Sequence, residues 1–499
     1  MKMLPPSSRV ALPALLVAAL LAGGLANHAS AQQFRRDRVD SLSVVGTLPA
    51  AVSSAAVNTN ITVRFDRPVE RGSIDRASFR VFGRYSGPAS GSFTFSNGDR
   101  WVTLDPAHAF SAGEVVWVNL SHSIRSADGT PLRAQGYAFQ FVTSVAASSG
   151  TFTQYAMLSN TNAEFTRIYG ASATDLNHDG WLDLTTINED SADIRVFMNL
   201  ANGTGNYGAF LTPQAIGDES SPNEPGDFDN DGNADLCVSA TSSGSVWILL
   251  GNGDGTFATP QEIPVGQEPH GIQVLDVDGD ADLDIINCNR NDDELSLMLN
   301  DGHGVFGAPS FFEGGVSGEY GLAAGDMNKD GITDLVVAGQ AGSHVRTLLG
   351  NGNGTFTPAG AAQSTGGATW VVTLGDVDGD GDLDASTANS TSGNAGILKN
   401  TGNGTFSAVS TVILGAHTVS TDLGDLDGDG DLDWAVSSFG GGFWRLYRNN
   451  GSGTFTFWQQ INAPSNPSCS ILLDTDNDGD LDLALTDEIA NVVVLRRNS

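Results

Sequence analysis

The sequence predicts an all-β protein, a seven-bladed β-propeller preceded by a smaller antiparallel β-sandwich. Three observations lead there. The string Asp-x-Asp/Asn-x-Asp-Gly-x-x-Asp, or a close variant, occurs seven times, with first aspartates Asp175, Asp227, Asp276, Asp326, Asp376, Asp425 and Asp474 spaced 49 to 52 residues apart. Each copy lies between short apolar runs of strand type, such as Gly271-Ile272-Gln273-Val274-Leu275 and Leu283-Asp284-Ile285-Ile286. No stretch of the repeat region has a helical period. A unit of about 50 residues holding roughly four strands is the signature of a radial blade.

The N-terminus comes first in chain order. Lys2 and Arg9 precede an apolar run from Val10 to Ala26, and Ala29-Ser30-Ala31 follows as a small-residue cleavage signature, so residues 1–31 are expected to be a signal peptide. A membrane anchor fits less well, because the run is short, is interrupted by Gly23-Gly24 and has no charged flank directly after it. No cysteine precedes Cys237, which removes the acceptor thiol a lipoprotein needs. The cleaved chain is expected to be exported and not inserted in a membrane.

Residues 40–144 share none of the later period. Strand-like runs at Ile61–Phe65, Phe79–Phe82, Trp101–Leu104, Val115–Leu120 and Tyr137–Val142, with turns at Asn97-Gly98 and Asp128-Gly129, predict an antiparallel sandwich. Val57-Asn58-Thr59-Asn60 leads into Val63-Arg64-Phe65-Asp66-Arg67-Pro68-Val69, and Ala127-Asp128-Gly129-Thr130-Pro131-Leu132 precedes the last strand. In this order the segment resembles the bacterial Ig-like domain of exported and surface-layer proteins, which implies a spacer or stalk. Residues 145–150, rich in Ala, Ser and Gly, form a linker, and the propeller occupies residues 151–499.

Within each repeat a third apolar run, such as Ser245–Leu250, is followed by a glycine-rich turn and a Thr-Phe segment beginning at Thr256, read as the outer strand. The last unit ends at Val492-Val493-Val494-Leu495 and lacks that strand, while Thr151–Ser159 stands unpaired before the first loop. The N-terminal segment therefore supplies the missing strand and closes the ring. A linear solenoid would need capping repeats, and none is visible.

Charge and cysteine usage limit the function. A formal charge of −34 repels nucleic acid and anionic membranes. An apolar content of 40% argues for a packed protein and not a disordered acidic chain. Three cysteines, Cys237, Cys288 and Cys469, each in a strand-like stretch, read as buried free thiols, so something other than disulfides must staple the fold.

The aspartate loops supply that staple. A hard cation such as calcium takes six or seven oxygen ligands, and carboxylates at alternate positions of a tight loop provide them. Side chains at the first, third, fifth and ninth positions, with the backbone carbonyl of the seventh, form the candidate cage. The first loop offers Asp175, Asn177, Asp179, Trp181 and Asp183; the second Asp227, Asp229, Asp231, Asn233 and Asp235; the third Asp276, Asp278, Asp280, Asp282 and Asp284. The fourth offers Asp326, Asn328, Asp330, Ile332 and Asp334; the fifth Asp376, Asp378, Asp380, Asp382 and Asp384. The sixth offers Asp425, Asp427, Asp429, Asp431 and Asp433, and the seventh Asp474, Asp476, Asp478, Asp480 and Asp482. About seven calcium ions, one per blade, are expected.

An EF-hand would need Glu at the twelfth position, where Thr186, Val238 and Asn287 stand in the first three copies. The loops instead resemble those of FG-GAP and VCBS repeats, the blades of integrin-α-like propellers and of many exported bacterial proteins. The resemblance covers residues 151–499 and implies that the ninth-position aspartate closes each cage. The expected role of the ion is to fold the loop and not to regulate.

Six residues before each first aspartate stand Tyr169, Ser221, His270, Tyr320, Trp370, Val419 and Ser468, equivalent positions that form a ring around the axis. Tyr169, His270, Tyr320 and Trp370 are candidates for stacking a sugar or gripping a peptide side chain, against a simpler reading as packing near the axis. Gly350-Asn351-Gly352-Asn353-Gly354 recurs as a blade turn and is no phosphate loop. No HExxH, Cys-His cluster or GxSxG elbow is present.

These residues predict a secreted calcium-binding, non-enzymatic binding or adhesion protein that recognises an extracellular carbohydrate or protein and is monomeric. Its destination is the exterior, the cell surface or the periplasm. A propeller-type glycan hydrolase or lyase is one alternative, with Glu224, Glu319, His270 and His417 as the acids and bases that depart from the repeat pattern, and a purely structural surface protein is the other.

Overall fold

The computed structural model describes residues 41–499; residues 1–31, expected to be a signal peptide, lie outside them. Alternating burial along Ile61–Phe65, with Ile61, Val63 and Phe65 inward, turns one face of the first domain to a core shared with Val102, Leu104, Val116, Val118, Phe139 and Phe141. Two sheets enclose that core. One has the strand order Val44–Leu48, Ile61–Phe65, Trp101–Pro106, Gly91–Ser96, and the other Ser54–Ala55, Tyr137–Thr143, Val115–Leu120, Phe79–Gly83, Gly87–Pro88. The described residues contain no α-helix, and no helix long and apolar enough to cross a membrane.

The rest of the chain forms seven further sheets. Their inner strands are Ile168–Thr174, Ser220–Gly226, Pro269–Leu275, Glu319–Gly325, Thr369–Gly375, Thr418–Gly424 and Pro467–Leu473. Each pairs antiparallel with a second strand that begins on the ninth aspartate of its loop, from Asp183–Asn188 to Asp482–Asp487. All seven second strands are buried along their whole length, because each is covered by its neighbours within the blade and by the adjoining blades on both faces. Successive inner strands lie side by side, and Pro467–Leu473 returns to pack on Ile168–Thr174.

Ring closure follows the expected route. Thr153–Ser159 pairs antiparallel with Val492–Arg497, from Thr153 opposite Arg497 to Ser159 opposite Val492. The last blade thus takes its outer strand from the start of the array.

The outer strands differ from the sequence expectation. After the glycine-rich turn the Thr-Phe segment makes only a single bridge in most blades, as in Gly251 with Phe257 and Asn300 with Phe306. Its phenylalanine packs inward between blades, Phe306 lying 5.5 Å edge-on to Phe228 in the loop of the preceding blade. The outer strand forms a few residues later, at Gln261–Pro264 in the second blade and Ser310–Phe312 in the third.

The sandwich does not stand away as a stalk. It lies on the propeller face that carries the aspartate loops, whose outward carbonyls accept its amides: Ala138 donates to Gly331 O at 2.9 Å and His122 to Gly279 O at 2.7 Å. Arg133 donates to Asp330 O at 2.8 Å and to Gly331 O at 2.6 Å, and the linker adds Ala146 N to Gly479 O at 2.6 Å.

Candidate metal loops and channel

Every loop turns on a left-handed residue at its sixth position. Glycine takes that backbone readily, as at Gly232 with φ 93°, while the third loop holds Ala281 there at φ 72°, a strained choice for a residue with a side chain. The first aspartate gathers the turn. In the first loop, Asp175 accepts from the amides of Asp179 at 3.2 Å and Gly180 at 2.9 Å, and Asp326, Asp376, Asp425 and Asp474 accept likewise from Gly331, Gly381, Gly430 and Gly479.

The ninth aspartate has a second task. One oxygen takes the amide directly after the first aspartate and the other takes an amide sixteen residues ahead, on leaving the third strand. Asp235 does so with Phe228 and Gly251, both at 2.7 Å, and Asp284 with Val277 at 3.0 Å and Asn300 at 2.9 Å. The same pair of bonds recurs at Asp183, Asp334, Asp384, Asp433 and Asp482. Burial pushes these carboxyls up, Asp235 and Asp334 to about 8 and Asp183, Asp384, Asp433 and Asp482 to about 7.

Five loops bring three carboxylate oxygens within 4.8 Å of one another: Asp227, Asp229 and Asp235; Asp276, Asp278 and Asp284; Asp376, Asp378 and Asp384; Asp425, Asp427 and Asp429; Asp474, Asp476 and Asp478. The first and fourth loops have an amide, Asn177 or Asn328, at the third position and so one carboxylate fewer. Several oxygens in these clusters are buried without any hydrogen-bond partner, among them Oδ1 of Asp227, Asp278, Asp378, Asp427, Asp474 and Asp476. Buried anionic oxygens left unpaired are costly, and a hard divalent cation satisfies several at once. The donor set fits a metal ion.

At the seventh position, Trp181, Asn233, Asp282, Ile332, Asp382, Asp431 and Asp480 occupy the bend, and several hold the next element in place. His178 meets Asn233 at 2.9 Å, Asn230 donates to Asp282 at 3.1 Å and Lys329 pairs with Asp382 at 2.5 Å, so consecutive loops interlock. In the last three blades a basic residue also covers the third-position carboxylate: Lys399 on Asp378 at 3.0 Å, Arg448 on Asp427 at 3.3 Å and Arg497 on Asp476 at 2.8 Å.

One set of structural residues escaped the sequence reading. Asn199, Asn300, Asn400, Asn449 and Asn498, each sixteen residues after a ninth aspartate, donate to a carbonyl in the loop of the preceding blade. Asn300 reaches Phe228 O and Asn400 reaches Met327 O, both at 2.8 Å, while Asn199 reaches Thr475 O at 3.0 Å and so ties the first blade to the last. Gly251 and Gly350 hold that place in the second and fourth blades. The signal was a repeated asparagine at constant spacing.

The candidate aromatic residues converge, but not as an open ring. His270 and Tyr320 lie 3.7 Å apart between ring centres, Tyr320 and Trp370 stack at 5.2 Å, and Tyr169 meets His270 at 6.0 Å. The Tyr169 and Tyr320 hydroxyls come within 3.4 Å although their strands belong to the first and fourth blades. The four side chains therefore cross the axis and narrow the channel at this end. Burial pulls His270 down to about 3, so it is neutral.

Below them lies a cavity of about 560 Å³, bounded at the other end by the sandwich residues Arg84, Tyr85, Trp117 and Gln140. Ser221, Val419 and Ser468 complete its upper wall. Glu224 lines it and pairs with Arg84 at 2.9 Å. Glu319 is buried outside it, both carboxylate oxygens without a partner, and His417 sits at the rim near Ser390. Glu224, Glu319, His270 and His417 therefore do not assemble one catalytic centre.

The rim does hold a charged group that the sequence reading missed. Arg167 bridges Glu488 at 2.7 Å and Glu189 at 2.8 Å, beside Tyr169. Burial pushes Glu189 up to about 7. Glu189 and Glu488 stand fourteen residues after their first aspartates, where the other repeats hold Thr241, Arg290, Gln340, Ser390 and Phe439. All three cysteines are free, as expected.

Comparison with known proteins agrees with this architecture. The FG-GAP-like repeat matches at residues 175–238, 227–287, 276–337, 326–386 and 425–485, together more than half of the chain, and the bacterial Ig-like domain matches residues 39–143. No curated protein matches. Among solved structures, BBS1N in complex with ARL6DN is similar at 12% identity and TM-score 0.49, over 70% of this chain and 97% of that one. A virginiamycin B lyase from Staphylococcus aureus is similar at 12% identity and TM-score 0.46, over 69% and 99%. A lectin from Agrocybe aegerita, described as recognising non-reducing terminal N-acetylglucosamine, is similar at 17% identity and TM-score 0.39, over 79% and 91%. The five repeat matches on blades built around the same aspartate loop place this chain in the family of FG-GAP-like repeat proteins, with a bacterial Ig-like domain at its N-terminus.

Proposed function

We propose that the protein is an exported, calcium-stabilised recognition module that binds a carbohydrate or a protein at the aromatic end of its propeller channel. The observation that carries the reading is the set of buried aspartate oxygens left without partners in loops that repeat in register. Calcium fits their all-oxygen chemistry, and an extracellular module needs an affinity of only roughly 10⁻⁴–10⁻³ M. Asp, Asn and backbone carbonyls at the first, third, fifth, seventh and ninth positions would hold it. With no disulfide among the described residues, the ion takes over the stapling. The apolar run at Val10–Ala26 supports export.

Recognition is favoured over catalysis because the aromatic side chains gather at one mouth while the acids are dispersed. Calorimetric titration of calcium into chelator-treated protein, followed by a glycan array on the loaded form, tests it. About seven ions and a retained glycan support the reading; no calcium uptake overturns it. A lyase or hydrolase reading draws on one specific feature, the Glu189–Arg167–Glu488 group at the mouth. Release of new reducing ends from a bound glycan, abolished by Glu189→Gln, would favour that reading instead.

A further inference from the structure

The cavity between the aromatic cluster and the sandwich is built by both domains, and its wall is chemically graded. Tyr169, Tyr320 and Trp370 bound its upper end with ring faces and edges. Midway, Gly170, Gly271 and Gly321 bring only backbone to the wall. At the lower end Gln273, Thr373, Glu224 and Asp422 come from four different blades, and Arg84 enters from the sandwich. Arg84 lies deep between the two domains, yet 36% of its side chain remains open because what it faces is the cavity.

We infer that this cavity is a binding site for a neutral, hydroxyl-rich molecule of monosaccharide size. The inference deepens the recognition reading above and rests on it. A volume of about 560 Å³ falls within the ordinary range of small-molecule sites. The lower end mixes donors, Arg84 and Gln273, with acceptors, Glu224 and Asp422, and Thr373 is both; hydroxyl groups, which also donate and accept, can answer all of them. A ligand of one sign could not. At the lower end Glu224 already takes the charge of Arg84 at 2.9 Å, and at the upper end Glu189 and Glu488 take that of Arg167, so no cation is left over for an anion.

Four lining residues, His270, Trp370, Asn223 and Ser420, carry a polar atom without a hydrogen-bond partner in the protein, each set behind the cavity surface, so a guest is met by the open polar groups of the lower end instead. The apolar face of a pyranose also suits the ring faces at the upper end. Entry requires Tyr169 to swing away from Tyr320, which it meets only through the long 3.4 Å hydroxyl contact.

The test is titration of the calcium-loaded full chain with D-glucose, D-galactose, N-acetyl-D-glucosamine and myo-inositol, with choline as a cationic control. Binding of one of the four at one molecule per chain is expected. Asp422→Asn should weaken it at least tenfold, and Thr373→Phe, which fills the cavity without removing a charge, should abolish it while both variants keep the parent melting temperature. Three results overturn the site: no binding of any of the four, binding unchanged in Thr373→Phe, or binding of choline alone. Because calcium uptake and glycan-array retention are read separately, a failed titration on protein that binds calcium and array glycans sinks the cavity and leaves the recognition reading standing.

Discussion

Arg80 of the sandwich and Asp282 of the third aspartate loop meet at 2.6 Å, with only 17% and 16% of their side chains exposed. The contact joins the sandwich sheet that faces the propeller to the seventh position of an aspartate loop. Asp282 is itself held by Asn230 of the preceding loop, so the ion pair reaches a belt of interlocked turns and not an isolated one. A partly buried pair of this kind leaves an unpaired charge when one member is removed. Arg80→Ala should lower the melting temperature by a few degrees and speed proteolysis in the 145–150 linker, without reducing the number of calcium ions bound. Unchanged proteolysis would mean that the sandwich is held by its backbone contacts alone.

The same loops tie the stability of the fold to pH. Without a metal, burial raises the ninth-position carboxyls, Asp235 and Asp334 to about 8 and Asp183, Asp384, Asp433 and Asp482 to about 7, against about 3.9 in an unfolded chain. The folded state then holds more protons than the unfolded one between those values. The stability that these carboxyls contribute is full below about pH 4 and is lost as pH rises through 7 to 8. Calcium reverses the trend by supplying the charge that the protons supplied, at about 2.7 kcal/mol per site for a hundredfold excess over the dissociation constant. Chelated protein should therefore melt at a higher temperature at pH 5 than at pH 8, and calcium should raise the melting temperature far more at pH 8. Equal effects at both values would show that the ninth aspartates are charged in the metal-free fold.

The asparagine clamps should each contribute measurably. Replacing Asn300 by alanine removes its bonds to Leu283 O and to Phe228 O, of which Phe228 O keeps the Gly304 amide, in a buried setting, a loss of about 1–3 kcal/mol. Asn199→Ala removes the bond to Thr475 O, the asparagine clamp between the first blade and the last, and should cost at least as much. Denaturant unfolding of both variants measures this. Gly251 and Gly350 at the same place in two blades show that the fold tolerates a missing clamp, so both variants should remain folded.

How much of this could be read beforehand follows from what repeats. The loops, the buried second strands and the closing strand at Thr153–Ser159 all depend on local pattern or on a missing member of a series, and each was legible. The position of Tyr169, His270, Tyr320 and Trp370 at the channel end was legible too, because equivalent positions in a ring face the same way. Their crossing of the axis was not: it depends on side-chain length against channel width, which leaves Tyr169 within reach of Tyr320 three blades away. The docking of the sandwich was equally hidden, since Gly279 O, Gly331 O and Asp330 O carry no residue signature. Glu189 and Glu488 were visible in principle as acids in a repeat column that elsewhere holds other residues.

Ring closure makes the most direct test of the architecture. The strand Thr153–Ser159 covers Val492–Arg497, in which Val493 and Leu495 are fully buried, and Tyr155 fixes it further by donating to Gly205 O at 2.7 Å. A chain of residues 145–499 keeps that strand and loses only the sandwich, whereas a chain of residues 160–499 leaves the last blade with an open, apolar edge. Open edges of this kind pair with other chains. In calcium, the longer chain should stay monomeric and unfold cooperatively, while the shorter one should self-associate in light scattering. Adding a synthetic peptide of residues 151–160 should bring the shorter chain back toward monomer. Two monomeric chains of equal melting temperature would show that the propeller does not need its borrowed strand.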